Sequence, residues 1–526
     1  MKSKGASKSS ASSRRSRPAG GRGLAVLGLL AALGAPFTWL AHQQGWTLWY
    51  GDAEAHLNIA RRILDSRVPG YEQIGTVWLP LPHLLMLPFV QVDALWRSGI
   101  GGALPACICF VAGGWLLYLA VRRIFGSEAP AAAAAAAYAL NPNLLTLQSA
   151  PMTEAMWLCF LCGLLYACAR FRETRSALDA VLGGVFALCG ALTRYEGWFL
   201  LPFAALYFFA AGGERRWRGA LAFCLVAGLG PLYWIAHNWI FYSNPLEFYN
   251  GPWSAQAIYK RSLDAGLPRY PGDHDWGAAW QYFRAAAELC LGRPLAWAGM
   301  VGLAAVLVKR GWWAALLLAA APLFYVLSLY TGGTPIYVPQ LWPHSLYNTR
   351  YGLNALPLAC LGLAGLVALM PAKLRGVAAV VVIMAAVSPW IGYPRKENWI
   401  CWRESQANSA GRRAWTAAAA DYLRPRYKPG AGIFMSFGDQ TGILRQAGIP
   451  LRESLHEGDV PYWDAAAARP DLMLWEEWAI AIQGDRVSQA MWRMRRGPRR
   501  YECVRIYAEK DSPAVEIWRG VSRFNQ

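Results

Sequence analysis

From residue 24 to residue 391 the chain alternates between long apolar stretches and short polar loops, and beyond Glu397 that alternation stops. A helix needs about 17–25 predominantly apolar residues to cross a bilayer. Spanning helices are predicted over 24–41, 102–121, 131–147, 155–170, 178–193, 199–212, 219–240, 295–308, 313–330, 352–370 and 376–391. In the tail, charge returns, Gly and Pro mark turns, and no run is long enough to span. Residues 392–526 are therefore expected to form a small, separate α/β domain. There GIFMSF and DLMLW read as strands, DQTGILRQAG as a helix and YECVRIYAEKDSPAVEIW as a hairpin.

Residues 78–96, WLPLPHLLMLPFVQVDALW, are apolar enough to span, yet they carry three prolines and a histidine. Such residues disfavour a straight spanning helix. The segment is read as a helix lying at the interface or dipping partway in, which gives a fold of about eleven transmembrane helices.

Lys and Arg accumulate in cytoplasmic loops, and alternate loops of this chain carry Arg122 and Arg123, then Arg170, Arg172 and Arg175, then Arg215, Arg216 and Arg218, then Lys309 and Arg310, then Lys373 and Arg375. The leader 1–23 is basic as well, with Lys2, Lys4, Lys8, Arg14, Arg15, Arg17 and Arg22. This reading puts the N-terminus in the cytoplasm. The first outer loop (42–101), the loops 148–154, 194–198, 241–294 and 331–351, and the C-terminal domain then share the extracytoplasmic face of the cell membrane.

The chain has 526 residues, 55% hydrophobic and 16% charged, with a formal charge of +19. Such a charge invites a nucleic-acid reading, but its concentration in the leader and alternate loops is the signature of topology, so no nucleic-acid partner is expected. Nine of the eleven cysteines lie in or beside apolar segments, as small buried side chains do. Cys401 and Cys503 fall in the tail, where an oxidising compartment would allow a disulfide.

Polar residues with chemical potential cluster on the outer side, in GDAEAH, PMTE, TRYEGW and YNTRYGL. Asp52 and Glu54, two residues apart on an extended or turning segment, can lean into one cavity, as a general base with its partner or as oxygen ligands of a divalent cation. The plain alternative is a helix start with Asp52 as its N-cap. Arg61 and Arg62 either snorkel to headgroups or hold a substrate phosphate. Glu154 opens a spanning helix, where a carboxylate also satisfies the helix N-terminus. Arg194 and Glu196 can neutralise each other. Arg350, with Tyr347 and Tyr351 beside it and no nearby acid in sequence, suits a phosphodiester gripped by a guanidinium. His83 reads best as a buried, hydrogen-bonded histidine. No Walker motif, HExxH or GxSxG occurs, so ATP-driven transport and serine hydrolysis lack support.

The order and sidedness of GDAEAHLNIARRI, WLPLPHLLMLP, RRIFG, MTE, TRYEG and YNTRYGL resemble the GT-C superfamily of membrane glycosyltransferases, which includes protein O-mannosyltransferases and the lipid A aminoarabinose transferase. The resemblance covers 24–391. It implies inverting transfer of a hexose or pentose from a polyprenyl-phosphate donor to a glycan, lipid or protein acceptor. By this resemblance Asp52 is the catalytic base and Glu154 a second acid, with Glu54 the remaining catalytic candidate. His56, Arg61, Arg194, Glu196, Arg350 and Tyr351 are the substrate-binding candidates, and Arg350 faces the leaving phosphate. Relatives often have adjacent acids in the first loop, where Ala53 intervenes here, and a His-Pro-Pro run where Leu81, Pro82 and His83 stand. A divalent cation held by Asp52 and Glu54 is compatible with this chemistry. The competing class is a transporter or flippase, which would show broken helices and internal repeats; neither is evident in the sequence.

Overall fold

The computed structural model describes residues 21–309, 311–392, 398–496, 500–510 and 512–521. Residues 1–20 of the basic leader, Arg310 and part of the 391–400 junction lie outside the described residues. The chain begins with α1 (Gly21–Gln43), α2 (Gly51–Arg62), α3 (Leu81–Val90), α4 (Asp93–Ser98) and α5 (Ile100–Phe125). It continues through α6 (Glu128–Ala139), α7 (Pro142–Gln148), α8 (Glu154–Thr174), α9 (Ala177–Ala191), α10 (Glu196–Ala211), α11 (Arg216–Ala227) and α12 (Leu229–Tyr242). Two short helices, α13 (Glu247–Asn250) and α14 (Ala255–Asp264), precede α15 (Trp276–Leu291), α16 (Arg293–Val308) and α17 (Trp312–Tyr330). A 3₁₀ segment, Thr349–Ala355, leads into α18 (Leu356–Leu369), and α19 (Arg375–Gly392) follows.

Among the described residues six helices are long and apolar enough to cross a membrane, or seven if the bent pair α15–α16 counts as one span. The expected eleven are all helical, but several are shorter or interrupted. The span expected at 131–147 is two helices, because Asn141 Oδ1 accepts from the amides of Asn143 (3.0 Å) and Leu144 (3.1 Å) and Pro142 opens the new helix. Residues 276–291, expected to be loop, form α15, which meets α16 at Gly292 with a bend of 111°. Helix α3 has ten residues, about 15 Å of rise, half of what a bilayer core requires.

Small residues bring the helices close. A Cβ on Gly302 would lie 1.9 Å from the carbonyl oxygen of Gly362, and one on Gly362 would lie 2.0 Å from that of Gly299, so α16 and α18 cross in backbone contact.

The C-terminal region opens with α20 (Ile400–Leu423) and carries a five-stranded sheet of β1 (Ile433–Met435), β2 (Ser454–Leu455), β3 (Trp478–Ile482), β4 (Arg500–Tyr507) and β5 (Val515–Val521), in the order β2-β1-β3-β5-β4. β1 is parallel to β2 and β3, while β5 is antiparallel to β3 and β4. Between them lie α21 (Thr441–Ala447), α22 (Tyr462–Ala468), α23 (Pro470–Met473) and α24 (Arg486–Met494). DLMLW is not a strand: Pro470 initiates a helical turn, and the strand begins later, at Trp478. Trp415, Ile433, Met435, Val515 and Ile517 belong to the same hydrophobic cluster as the membrane helices, so the expected separate domain shares its core with the rest. Cys401 and Cys503 are both free thiols, Cys401 buried and Cys503 on β4, so the disulfide the sequence left open is not formed.

Candidate active site

Asp52 and Glu54 do not lean into one cavity. The helix α2 starts at Gly51, so the two carboxylates are two positions apart on a helix, a spacing at which side chains diverge. Tyr50 is the N-cap residue, not Asp52. Glu54 turns toward α21 and accepts from Arg445 Nε (2.9 Å) and Nη2 (3.0 Å) and from Asn58 Nδ2 (3.1 Å). Burial pushes its carboxyl up, but Arg445 outweighs that and holds it below its usual value. With both oxygens occupied, Glu54 cannot join Asp52 around one cation. Among the described residues no group of three or more His, Cys, Asp and Glu converges as a metal set.

Asp52 points the other way, into a cleft of about 420 Å³ also lined by Trp49, Trp78, Tyr347, Arg350, Arg412 and Asp439. Its side chain is 42% exposed. One oxygen, Oδ2, accepts from Arg350 Nη2; among the described residues no hydrogen bond reaches Oδ1.

Arg350 sits in the 3₁₀ segment before α18, is 5% exposed, and divides its nitrogens among three carboxylates. Besides Asp52, Nε donates to Glu154 Oε1 (3.1 Å) and Nη1 to Glu404 Oε1 (3.1 Å). Where the sequence suggested a guanidinium free to grip a phosphate, each of the three nitrogens of Arg350 already donates to a carboxylate. Glu154, at the start of α8, also accepts from Arg194 Nη1 (3.2 Å). Arg194 further donates to Glu196 (2.6 Å), Thr153 (2.7 Å) and the Tyr325 hydroxyl (2.6 Å). The Tyr351 ring lies against both guanidiniums, 5.2 Å from each. The buried Glu154 and Glu196 and the part-buried Arg194 and Tyr351 thus form a bed behind Asp52 rather than the wall of the cleft.

His56 and Arg61 lie elsewhere. His56 Nδ1 is 2.9 Å from His83 Nε2, and its ring packs on Trp78. Burial, and then the charges of Arg194 and Arg350, lower its pKa to about 3, so it is a neutral packing residue. Arg61 spends its donors on Asp65 (2.8 Å), Asp93 (2.7 Å) and the carbonyls of Val90 and Gln91, leaving nothing for a substrate.

Two crystal structures of ArnT from Cupriavidus metallidurans share this architecture over nearly their whole length. The apo state matches with a TM-score of 0.53 and 14% identity, covering 92% of this chain and 97% of that one. The form bound to undecaprenyl phosphate matches at 0.51 and 13%, with the same coverage. A family model described as dolichyl-phosphate-mannose-protein mannosyltransferase matches residues 95–241. The chain has the GT-C fold. No curated protein matches the sequence.

Sequence reasoning missed what the C-terminal region contributes to this site. Glu404 on α20 accepts from Arg350, from the amides of Asn348 (3.1 Å) and Thr349 (2.8 Å) and from the Thr349 hydroxyl. Burial raises its carboxyl, opposed by Arg350 and these hydrogen bonds. The loop after β1 brings Asp439 against Gly51, where a Cβ would lie 3.0 Å from Asp439 Oδ1. Arg412 of α20 fastens the turn before α2 by donating to the carbonyls of Leu48 (3.2 Å) and Trp49 (2.5 Å). No pattern in CWRESQANSAGRR sets Glu404 and Arg412 apart from a solvated helix face, because their role exists only once α20 is docked.

Proposed function

We propose that this chain is a glycosyltransferase that moves a hexosyl or pentosyl group from a polyprenyl-phosphate donor to a hydroxyl-bearing glycan, lipid or protein acceptor on the extracytoplasmic face of the cell membrane. The observation that carries this reading is the state of Asp52: one oxygen anchored by Arg350, the other unbonded and facing the cleft. In the reaction the acceptor oxygen attacks the anomeric carbon while Asp52 Oδ1 takes its proton. The bond from that carbon to the phosphate oxygen breaks, and its electron pair leaves with the lipid phosphate, inverting the centre.

The bed behind Asp52 fits such chemistry. Among the described residues Asp52, Glu154, Glu196 and Glu404 make their ion pairs with Arg194 and Arg350, four carboxylates sharing two guanidiniums. Positive charge develops on the sugar ring when a glycosyl bond breaks, and a preorganised negative array beside it lowers the barrier. For the leaving phosphate the cleft offers Arg412, whose Nη1 makes no hydrogen bond. Of the three carboxylates lining the cleft, Asp52, Asp439 and Glu404, the first two would hold a divalent cation if one binds, and it would supply positive charge for the leaving phosphate. The undecaprenyl phosphate in the ArnT crystal supports a polyprenyl-phosphate carrier for a chain of this fold.

The test is mass spectrometry of lipid-linked sugars and surface glycans in cells with and without the protein. A polyprenyl-phosphate sugar that accumulates on deletion, together with a sugar missing from a glycan, lipid or protein, supports the reading. Unchanged pools of both overturn it.

A further inference from the structure

A second cavity, of about 270 Å³, lies between the end of α1, the turn before α2, α4 and the C-terminal helices α20 and α21. Four arginines line it: Arg97, Arg412, Arg413 and Arg445. The carboxylate in its wall is Glu54, already consumed by Arg445 and Asn58. Arg413 donates Nε to Ser409 Oγ (3.0 Å) and lies 4.4 Å over the Trp49 ring, with no ion pair among the described residues. Arg97 makes one long hydrogen bond, to the Gly448 carbonyl at 3.3 Å, and its nearest carboxylate oxygen, on Asp93, is 4.0 Å away. The hydroxyl of Thr47 also lines the cavity, is 3% exposed, and has no hydrogen-bond partner.

The unspent groups in this cavity are guanidinium donors and a hydroxyl that can donate, with positive charge in excess. The Thr47 hydroxyl is buried without an acceptor, which is costly, and the guanidiniums of the exposed Arg97 and the part-buried Arg413 have donors to spare; a tetrahedral dianion with acceptor-only oxygens satisfies several of these groups at once. We infer that this cavity is a binding site for a phosphate group of the acceptor.

The assignment to the acceptor rests on the glycosyl-transfer reading above. In the donor, the phosphate oxygen is bonded directly to the carbon under attack, so the donor phosphate must lie in the cleft that holds Asp52. Asp52 does not line the arginine cavity, and the two spaces adjoin across Trp49 and Arg412, which line both. A phosphate here is therefore not the leaving group. It belongs to the other substrate, whose nucleophilic hydroxyl then enters the cleft past Trp49. His42, at the C-terminal end of α1, lines the cavity too, so a ligand held in the bilayer can reach it as well as one from water.

The experiment is calorimetric titration of the full-length protein, with inorganic phosphate in detergent and, separately, with phosphatidylcholine vesicles with or without phosphatidic acid. Wild type is expected to bind, and Arg413→Gln to weaken binding about tenfold, the scale of one charge-assisted hydrogen bond. Thr47→Val is expected to weaken it several-fold, and Arg413→Lys to restore part of the loss. Arginine-dependent binding of phosphate alone identifies a soluble phosphate-bearing acceptor; dependence confined to phosphatidic acid identifies a lipid headgroup. Affinities equal in wild type, Arg413→Gln and Arg97→Gln in both arms, or no binding in either, overturn the proposal. Because binding is read directly, a chain that binds phosphate through Arg413 but transfers no sugar would count against the glycosyltransferase reading alone.

Discussion

Arg350, in the segment that leads into α18, and Glu404, on α20, are joined by a buried ion pair of 3.1 Å. The C-terminal region thereby sets the orientation of the guanidinium that holds Asp52. Glu404→Gln keeps the volume and removes the charge that fixes Arg350. We expect kcat for sugar transfer to fall on the order of 10²-fold, the cost of a small misplacement of a reacting group, with little change in KM for the donor. Steady-state kinetics on the purified variant check this; an unchanged kcat would limit Glu404 to packing.

Glu54 is expected to act in stability rather than in transfer. Removing one partner of a buried pair costs about 3–5 kcal/mol because the other charge is stranded, so Glu54→Ala and Arg445→Ala should each lower the melting temperature markedly. The double variant should recover part of the loss. A double-mutant cycle by thermal denaturation measures the coupling, and strictly additive losses would contradict the pair.

His56 makes stability depend on pH. Its folded pKa of about 3 lies below the ordinary value of 6.5, so between those values the unfolded chain binds more protons than the folded one. Stability is therefore full above pH 6.5 and declines as pH falls toward 3, by up to about 1.4 kcal/mol per pH unit from this group. His56→Gln keeps a hydrogen-bonding group beside His83 and lacks the titration. Its melting temperature should fall less steeply than that of wild type between pH 7 and pH 4, and parallel curves would refute the assignment.

The crossing of α16 and α18 leaves no space for side chains at its centre. With a Cβ on Gly302 placed 1.9 Å from the Gly362 carbonyl oxygen, Gly302→Ala must push the two backbones apart. Overpacking of this kind costs about 1–3 kcal/mol. The variant should melt lower in detergent, while Gly376→Ala, with nothing within 4 Å of its Cβ, should not.

The hydropathy pattern carries the fold far because burial in lipid or core leaves a direct imprint on composition: each predicted span is helical, and the first-loop acid, Glu154, Arg194 and Arg350 do converge. Local chemistry that depends on phase was less legible. Whether Asp52 and Glu54 face together turned on where α2 begins, and no turn residue before Gly51 announces it. Glu404, Asp439 and the arginines of α20 were invisible because their meaning comes from contacts distant in sequence, 54 residues away for Glu404 with Arg350 and 363 for Arg412 with Trp49. Arg61 was misjudged since its acceptors, two of them backbone carbonyls, exist only after α3 and α4 fold against it.

The central claim is that the unbonded oxygen of Asp52 takes the acceptor's proton. The direct measurement is sugar transfer by purified Asp52→Asn from a polyprenyl-phosphate sugar, with membrane level and melting temperature measured alongside. Transfer should fall by about 10²–10⁴-fold while protein level and fold are retained. Transfer at the wild-type rate by a folded Asp52→Asn protein would contradict the account.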